Sequence, residues 1–256
     1  MIEKGNYFID SIEEIGSGGC GIVDKVKVYN STKDHYTLYA RKTFSPSADN
    51  NTTEVKAVAN LRERFLVEIE TQCELNLLNH DSIVHICLYE TALENPFFVM
   101  ELGESSLEKD ILENNLDEYK KCQAVFSILS GLKTVHEKNY IHRDLKPANI
   151  IRFSGGIYKL TDFGLVKDQD SLRAQVKTRF APNELGTEGY RAPESIESGE
   201  FFKESDIYAF GKILKELYPN PSAALKKVIS KCTAYFYDER YRDIDSLFID
   251  YSNSIR

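Results

Sequence analysis

Gly16, Gly18 and Gly21, with Val23 after them, have the spacing G-x-G-x-x-G-x-V between two stretches that read as strands. Glycines in such a loop let backbone amides approach phosphate oxygens without interference from a Cβ. By itself the spacing is common: at about 7% glycine it arises by chance in roughly one chain in ten of this length. A dinucleotide-binding turn would need a helix directly after the loop, whereas Val23 to Val28 reads as strand. Lys42 ends the next strand, in Tyr39-Ala40-Arg41-Lys42, where a lone lysine is ordinarily a solvated charge. A denser group follows in His142-Arg143-Asp144-Leu145-Lys146-Pro147-Ala148-Asn149. Seven specified residues at about one in twenty each match by chance with a probability of order 10⁻⁷ in a chain this long. Asp162-Phe163-Gly164 begins eighteen residues after Asp144, and Gly186-Thr187-Glu188-Gly189-Tyr190-Arg191-Ala192-Pro193-Glu194 and Ser205-Asp206-Ile207-Tyr208-Ala209-Phe210-Gly211 come after it.

The elements that must carry these residues change character along the chain. Residues 7–44 read as β-structure, with Ile12, Val26, Leu38 and Phe44 spread among turn formers such as Asn30-Ser31. Ser45 to Thr53 is a polar loop, and Val55 to Leu78 has helical spacing through Leu61, Phe65, Ile69 and Leu75. Ile83–Tyr89 and Phe97–Leu102 read as two short strands. From Leu107 the pattern is helical, with a stripe of Val125, Ile128, Leu129, Leu132 and Val135, and a helix from Ile207 to Leu217 stopped by Pro219 and Pro221. Sheet first and helix after predicts an α+β fold with a boundary near Gly103.

Composition bounds the rest. The 256 residues suffice for a sizeable core, and 42% hydrophobic with 28% charged residues is ordinary for a soluble protein. A net charge of −8 argues against nucleic acid or an anionic membrane as the main partner. No apolar run approaches the roughly 20 residues that cross a bilayer. Five cysteines without a Cys-x-x-Cys pair predict free thiols in a reducing, cytoplasmic setting.

In order and spacing these motifs resemble the eukaryotic-type serine/threonine protein kinase family, from about Tyr7 to Arg242. The resemblance implies a bilobal fold: an ATP-binding N-lobe at 1–102, with antiparallel sheet and one main helix, and a mostly helical C-lobe at 103–256 that holds the catalytic loop and activation segment. It implies ATP and Mg²⁺ as cofactors and protein substrates with serine or threonine hydroxyls. Lys42 would contact the α- and β-phosphates, held by a helix glutamate. Arg64-Phe65-Leu66-Val67-Glu68-Ile69 is similar to the family's R-F-x-x-E-I and selects Glu68, with Glu70 as the alternative, because about three extra residues precede His80. Asp162 and Asn149 would bind Mg²⁺, Asp144 would take the substrate's proton, and Lys146 would sit near the transferring phosphate. Val23, Ala40, Met100, Leu102 and Ile151 would line the adenine pocket, with Met100 as gatekeeper and Glu101 between them on the chain. Lys146 and Thr187 resemble serine/threonine rather than tyrosine kinases.

Arg143 before Asp144 resembles the subgroup whose activation segment is ordered by phosphorylation, which makes Thr178 and Ser171 candidate sites, autophosphorylated in a transient homodimer. Glu104, Glu108 and Asp110 would give negative charge near the substrate groove. Arg242 would match the late arginine that pairs with Glu194, and the short stretch from Asp206 to Arg242 implies that most of one C-lobe helix is missing. Two other readings stay open. A regulatory binding module would have lost Lys42, Asp144, Asn149 or Asp162, and a small-molecule phosphotransferase would usually lack Ala-Pro-Glu.

Overall fold

The computed structural model describes residues 1–18, 20–46, 55–78, 81–168 and 187–255. The chain divides into two compact units: Met1–Leu78 with Val84–Gly103, and Asn79–Ile83 with Glu104–Arg256.

The first unit is an antiparallel sheet and one long helix. Its strands are β1 (Ile2–Lys4), β2 (Tyr7–Gly18), β3 (Gly21–Tyr29), β4 (Tyr36–Phe44), β5 (Ile86–Glu90) and β6 (Phe97–Glu101), in the order β1-β2-β3-β4-β6-β5. Strand β1, too short to show an alternating pattern, precedes the first strand read from sequence and turns into β2 at Gly5, whose φ is +58°. Lys4 Nζ on one edge strand lies 2.5 Å from Glu90 Oε2 on the other, so the sheet curls until its edges meet. Ile9, Val26, Val28, Phe97 and Val99 fill one face of the sheet. On the other face Phe44 and Phe98 pack against Phe65 and Ile69 of helix α1 (Val55–Asn76). Phe65 and Ile69 are one helical turn apart, the spacing that brings both to the sheet.

The second unit is mainly helical. Helix α2 (Leu107–Leu112) starts at Ser106, whose hydroxyl accepts the Lys109 N–H, and α3 (Glu118–Glu137) at Asp117, which accepts from Lys120 N. The predicted stripe of α3, Val125, Ile128, Leu129, Leu132 and Val135, is fully buried. Three short strands, β7 (Ser105–Ser106), β9 (Ile150–Arg152) and β10 (Tyr158–Leu160), form a second sheet, while β8 (Tyr140–Ile141) pairs with β11 (Lys167–Asp168). Beyond them come α4 (Pro193–Glu197), α5 (Lys203–Leu217), α6 (Ala223–Cys232) and α7 (Ile244–Ser254). Only Tyr218–Ser222 joins α5 to α6, so no helix stands between them. No helix among the described residues is long and apolar enough to cross a membrane.

One boundary departs from the sequence reading. Ile83 does not begin strand β5; it bridges in parallel to Leu160, and the Ser82 carbonyl accepts the Leu160 N–H. A short apolar run gives no signal of which sheet it will join.

Gly131 on α3 lies against this same place. A Cβ there would sit 2.8 Å from Leu160 Cδ1 and 2.9 Å from the Ser82 carbonyl oxygen. Gly131→Ala should therefore lower the unfolding free energy by about 1 to 3 kcal/mol, the usual effect of overpacking, as read by urea denaturation. A variant as stable as the parent would show that α3 can move away without loss.

Candidate active site

Each unit holds a group of candidate residues. On the first, register aligns Gly16 with Val23, Val23 with Lys42, and Lys42 with Phe98 across β2, β3, β4 and β6. Gly21 is demanded by packing, since a Cβ would lie 2.5 Å from the Thr43 carbonyl oxygen. Gly18 is different: a Cβ would meet nothing within 4 Å. Packing within the described residues therefore does not demand glycine at Gly18. Ala40 is buried opposite Met100. Leu102 lies just past β6, and Glu101 turns its carboxylate to the His85 N–H at 3.1 Å. Ile151 lies on β9 of the second unit.

Lys42 Nζ donates to Glu68 at 2.7 Å to Oε1 and 2.9 Å to Oε2. Glu68 is 2% exposed. The structure pairs Lys42 with Glu68, the first of the two glutamates the sequence offered. A buried pair of this kind is weak evidence for stability, but removing one partner typically costs about 3 to 5 kcal/mol, because the other charge is then stranded.

On the second unit the decisive group is Asp206, near the start of α5. Its carboxylate accepts from His136 Nε2 at 2.8 Å, from the His142 N–H at 2.9 Å and from the Arg143 N–H at 3.0 Å. Arg143 has φ +69°, a left-handed conformation that costs energy for a residue with a Cβ. Asp206 holds that turn in place. Burial alone would raise the Asp206 carboxyl, yet the hydrogen bond and charge of His136, the charge of His142 and the Arg143 amide together hold it below its usual value. His142 is fully buried against the Phe163 ring, 5.0 Å between centroids. The Arg143 guanidinium sits over Phe201 and donates to the Leu165 carbonyl.

The turn delivers Asp144 into a small polar network. Thr187 donates its hydroxyl hydrogen to Asp144 Oδ1 at 2.9 Å and accepts from Lys146 Nζ at 2.6 Å. Lys146 Nζ is also 2.9 Å from Asp144 Oδ2. Asn149, at the end of a short 3-10 turn from Pro147, donates its amide hydrogens to the Asp144 carbonyl and carboxylate, at 2.9 and 3.1 Å. Both hydrogen bonds use the NH₂ group, so the Asn149 side-chain carbonyl oxygen takes no part in them. Asn149 also accepts the Thr161 N–H through its backbone, and the next residue, Asp162, has φ +66°.

Several expectations change. The partner of Glu194 is Arg240, not Arg242: Arg240 donates to both Glu194 oxygens at 2.9 and 2.8 Å. Arg242 is mostly exposed and pairs with Glu204 instead. Asp243 caps α7 by accepting Ser246 N, so the chain is already turning into that helix at Arg242; this cap was the missed signal. Glu104 and Asp110 are not free negative charge. Both are held by Arg152, Asp110 at 2.8 Å and Glu104 at 2.5 Å, and Tyr158 donates to the buried Asp110 as well. Glu108 alone of the three is exposed without such a partner in this network. His136 and Arg152 lie in no local motif, and Asp206, though it lies in the Ser205–Gly211 motif, has a role that the motif alone does not announce. Ser171 and Thr178 lie outside the described residues.

Glu194 and Asp206 set an acid limit. Burial raises Glu194, but Arg240 and Ser205 bring it net below its usual value. A carboxyl depressed in the folded state adds stability above its unfolded value of about 4, and this is lost as pH falls through the folded value. Urea midpoints should thus fall on acidification below about pH 4. Asp206→Asn should cost about 3 to 5 kcal/mol at neutral pH and flatten that acid slope. An unchanged slope in the variant would remove Asp206 from this account.

Comparison with known proteins extends the picture. The family model "Protein kinase domain" matches residues 9–239. A probable serine/threonine-protein kinase of Lactococcus lactis, PknB, is 28% identical over 99% of this chain and 43% of its own length. Mitogen-activated protein kinase 5 of Arabidopsis thaliana is 27% identical over 85% of this chain and 54% of its own. The probable serine/threonine-protein kinase PBL17 of Arabidopsis thaliana is 31% identical over 79% and 44%. The chain thus spans about half the length of these relatives, or somewhat less. Because the family match takes in residues of both units, from the glycine-bearing hairpin through Glu194, the chain belongs to the protein kinase domain family.

Proposed function

We propose that the chain transfers the γ-phosphoryl group of ATP, with Mg²⁺, to serine and threonine hydroxyls of protein substrates. The observation that carries this reading is the Asp144 network. Its carboxylate accepts a hydrogen bond from an aliphatic hydroxyl, that of Thr187, with Lys146 Nζ on the same hydroxyl oxygen. A substrate serine or threonine presents the same chemistry. In the step, the substrate Oγ forms a bond to the γ-phosphorus, the bond to the β–γ bridging oxygen breaks, and the hydroxyl proton passes to Asp144. Lys146 stabilises the charge that spreads over the phosphoryl oxygens, and Lys42, steadied by Glu68, holds the other phosphates.

A carboxylate at Asp162 and an amide carbonyl at Asn149 are hard oxygen donors, and that donor set fits Mg²⁺. Among the described residues no three His, Cys, Asp or Glu side chains cluster to hold a metal alone. A cation here would take its remaining ligands from phosphate or water. The bound ion supplies charge neutralisation. Glycine at Gly18, with nothing near its missing Cβ, supports a phosphate against the hairpin backbone. Five cysteines without a Cys-x-x-Cys pair support a reducing, intracellular setting. The residues whose loss would favour a binding-only module, Lys42, Asp144, Asn149 and Asp162, are all present.

Asp144→Asn should lower phosphoryl transfer by about 10² to 10⁴ with nucleotide affinity nearly unchanged, whereas Asp162→Ala should also shift the Mg²⁺ titration. Mass spectrometry of the protein after incubation with Mg-ATP reads autophosphorylation in the same samples. If Asp144→Asn kept more than about a tenth of parental activity, it would not be the base that this range describes.

Substrate choice follows from Arg152. With Glu104 and Asp110 both engaged by Arg152, which leaves the group one net negative charge, a positional peptide library should show phosphorylation of serine and threonine with less than about tenfold selection for an upstream arginine, or roughly 1.4 kcal/mol. Efficient tyrosine phosphorylation, or a stronger selection for arginine, would contradict this reading.

A further inference from the structure

Three consecutive aromatic residues, Tyr235, Phe236 and Tyr237, follow α6 and face solvent, 56%, 59% and 41% exposed. Scattered exposed apolar residues need no explanation, but these form one group. Tyr235 and Phe236 meet edge to face at 5.2 Å, and Tyr237 stacks on Phe202 at 4.6 Å with 26° between the rings. The Tyr235 hydroxyl donates to Glu197, whose neighbour Ile196 is 51% exposed. The aromatic face therefore continues across the end of α4 to the start of α5.

This face is rigid for a specific reason. Arg240 uses all five of its guanidinium N–H donors. Besides the two Glu194 oxygens, it reaches the carbonyls of Ala234 at 2.9 Å, Tyr235 at 2.9 Å and Glu204 at 3.0 Å. The backbone that presents Tyr235 and Phe236 is thus tied to a fully buried charge, and Tyr237–Glu239 adds a 3-10 turn. Large rings on a fixed backbone lose little conformational freedom on binding, which is why tyrosine is enriched at binding hot spots.

The charges around the face indicate what fits it. Glu197, Glu200, Asp238 and Glu239 are all exposed beside it. The nearby cations are engaged elsewhere: Arg242 on Glu204, Lys203 on Asn139, and Lys231 over the Tyr241 ring. We propose that Ile196, Phe202, Tyr235, Phe236 and Tyr237 form a docking site for an extended segment of a partner protein, carrying apolar side chains flanked by lysine or arginine. The apolar anchors bind the rings, and the flanking cations meet the acidic rim, which mainly speeds and orients association.

The test is a random peptide library displayed on phage, panned on the whole chain, with enriched peptides then titrated by fluorescence anisotropy. Enriched peptides should combine apolar residues with flanking Lys or Arg. They should bind the Tyr235→Ser/Phe236→Ser variant at least about tenfold more weakly, and Asp238→Asn/Glu239→Gln should slow association. Both variants change exposed side chains, and unchanged thermal melting verifies that they fold. No enrichment, enrichment of acidic flanks, or equal binding to the aromatic variant would overturn the proposal. So would sedimentation showing a dimer that the aromatic variant loses, because a second copy would then be the occupant.

Discussion

Burying a carboxylate away from water costs several kcal/mol unless its oxygens are satisfied, and Asp206 meets that condition with three donors drawn from two other segments. His136 comes from the last turn of α3, and the amides of His142 and Arg143 from the loop that follows β8. The two amides would otherwise be buried without partners, and Arg143 would be free to leave its left-handed conformation. With Asp206 in place neither can happen, so Asp144 leaves the turn in one direction. Asn149 then ties Asp144 to the start of the segment containing Asp162 through its side chain and its backbone. The helices that supply His136 and Asp206 are also the most deeply buried in their unit, so the polar site inherits the rigidity of an apolar core.

Lys42–Glu68, Arg152–Asp110 and Arg240–Glu194 are buried or half-buried ion pairs with different consequences. None is a strong source of net stability, since desolvation offsets most of the attraction. Each instead restricts geometry. Lys42 is held at a single height on β4, Arg152 fixes the buried Asp110 while Glu104 stays half exposed, and Arg240 joins α4, α5 and the loop after α6. The contrast between Arg240 and Arg242 makes the point. Two residues apart, one is enclosed with every donor used and the other lies on the surface with one carboxylate and one carbonyl.

Much of this was legible in the sequence, and the reasons are local. The α3 stripe, the β2–β3 glycine hairpin and the 142–149 octapeptide all concern residues near one another in the chain, where periodicity and spacing carry the signal. What escaped, Lys42–Glu68 excepted, was the long-range pairing. Nothing in the neighbourhood of Arg152 announces Asp110 as its partner, and His136 looks like any polar residue late in a helix. The strands β7, β9 and β10, with two or three residues each, are too short to show alternation. Arg240 and Arg242 are separated by packing alone, and only the Asp243 cap hinted at which would face inward.

The segment Asn79–Ile83 belongs to the second unit although the chain before and after it belongs to the first. The backbone therefore passes from one unit to the other three times, and neither can be released intact by one cut. During synthesis from the N-terminus, the six strands of the first sheet are all present once Glu101 has emerged. Ser82 and Ile83, already made by then, must wait for Leu160, some eighty residues later in the chain. A short stretch inside the earlier half thus stays without its partners until the later half arrives, which is when a nascent chain is most open to wrong contacts.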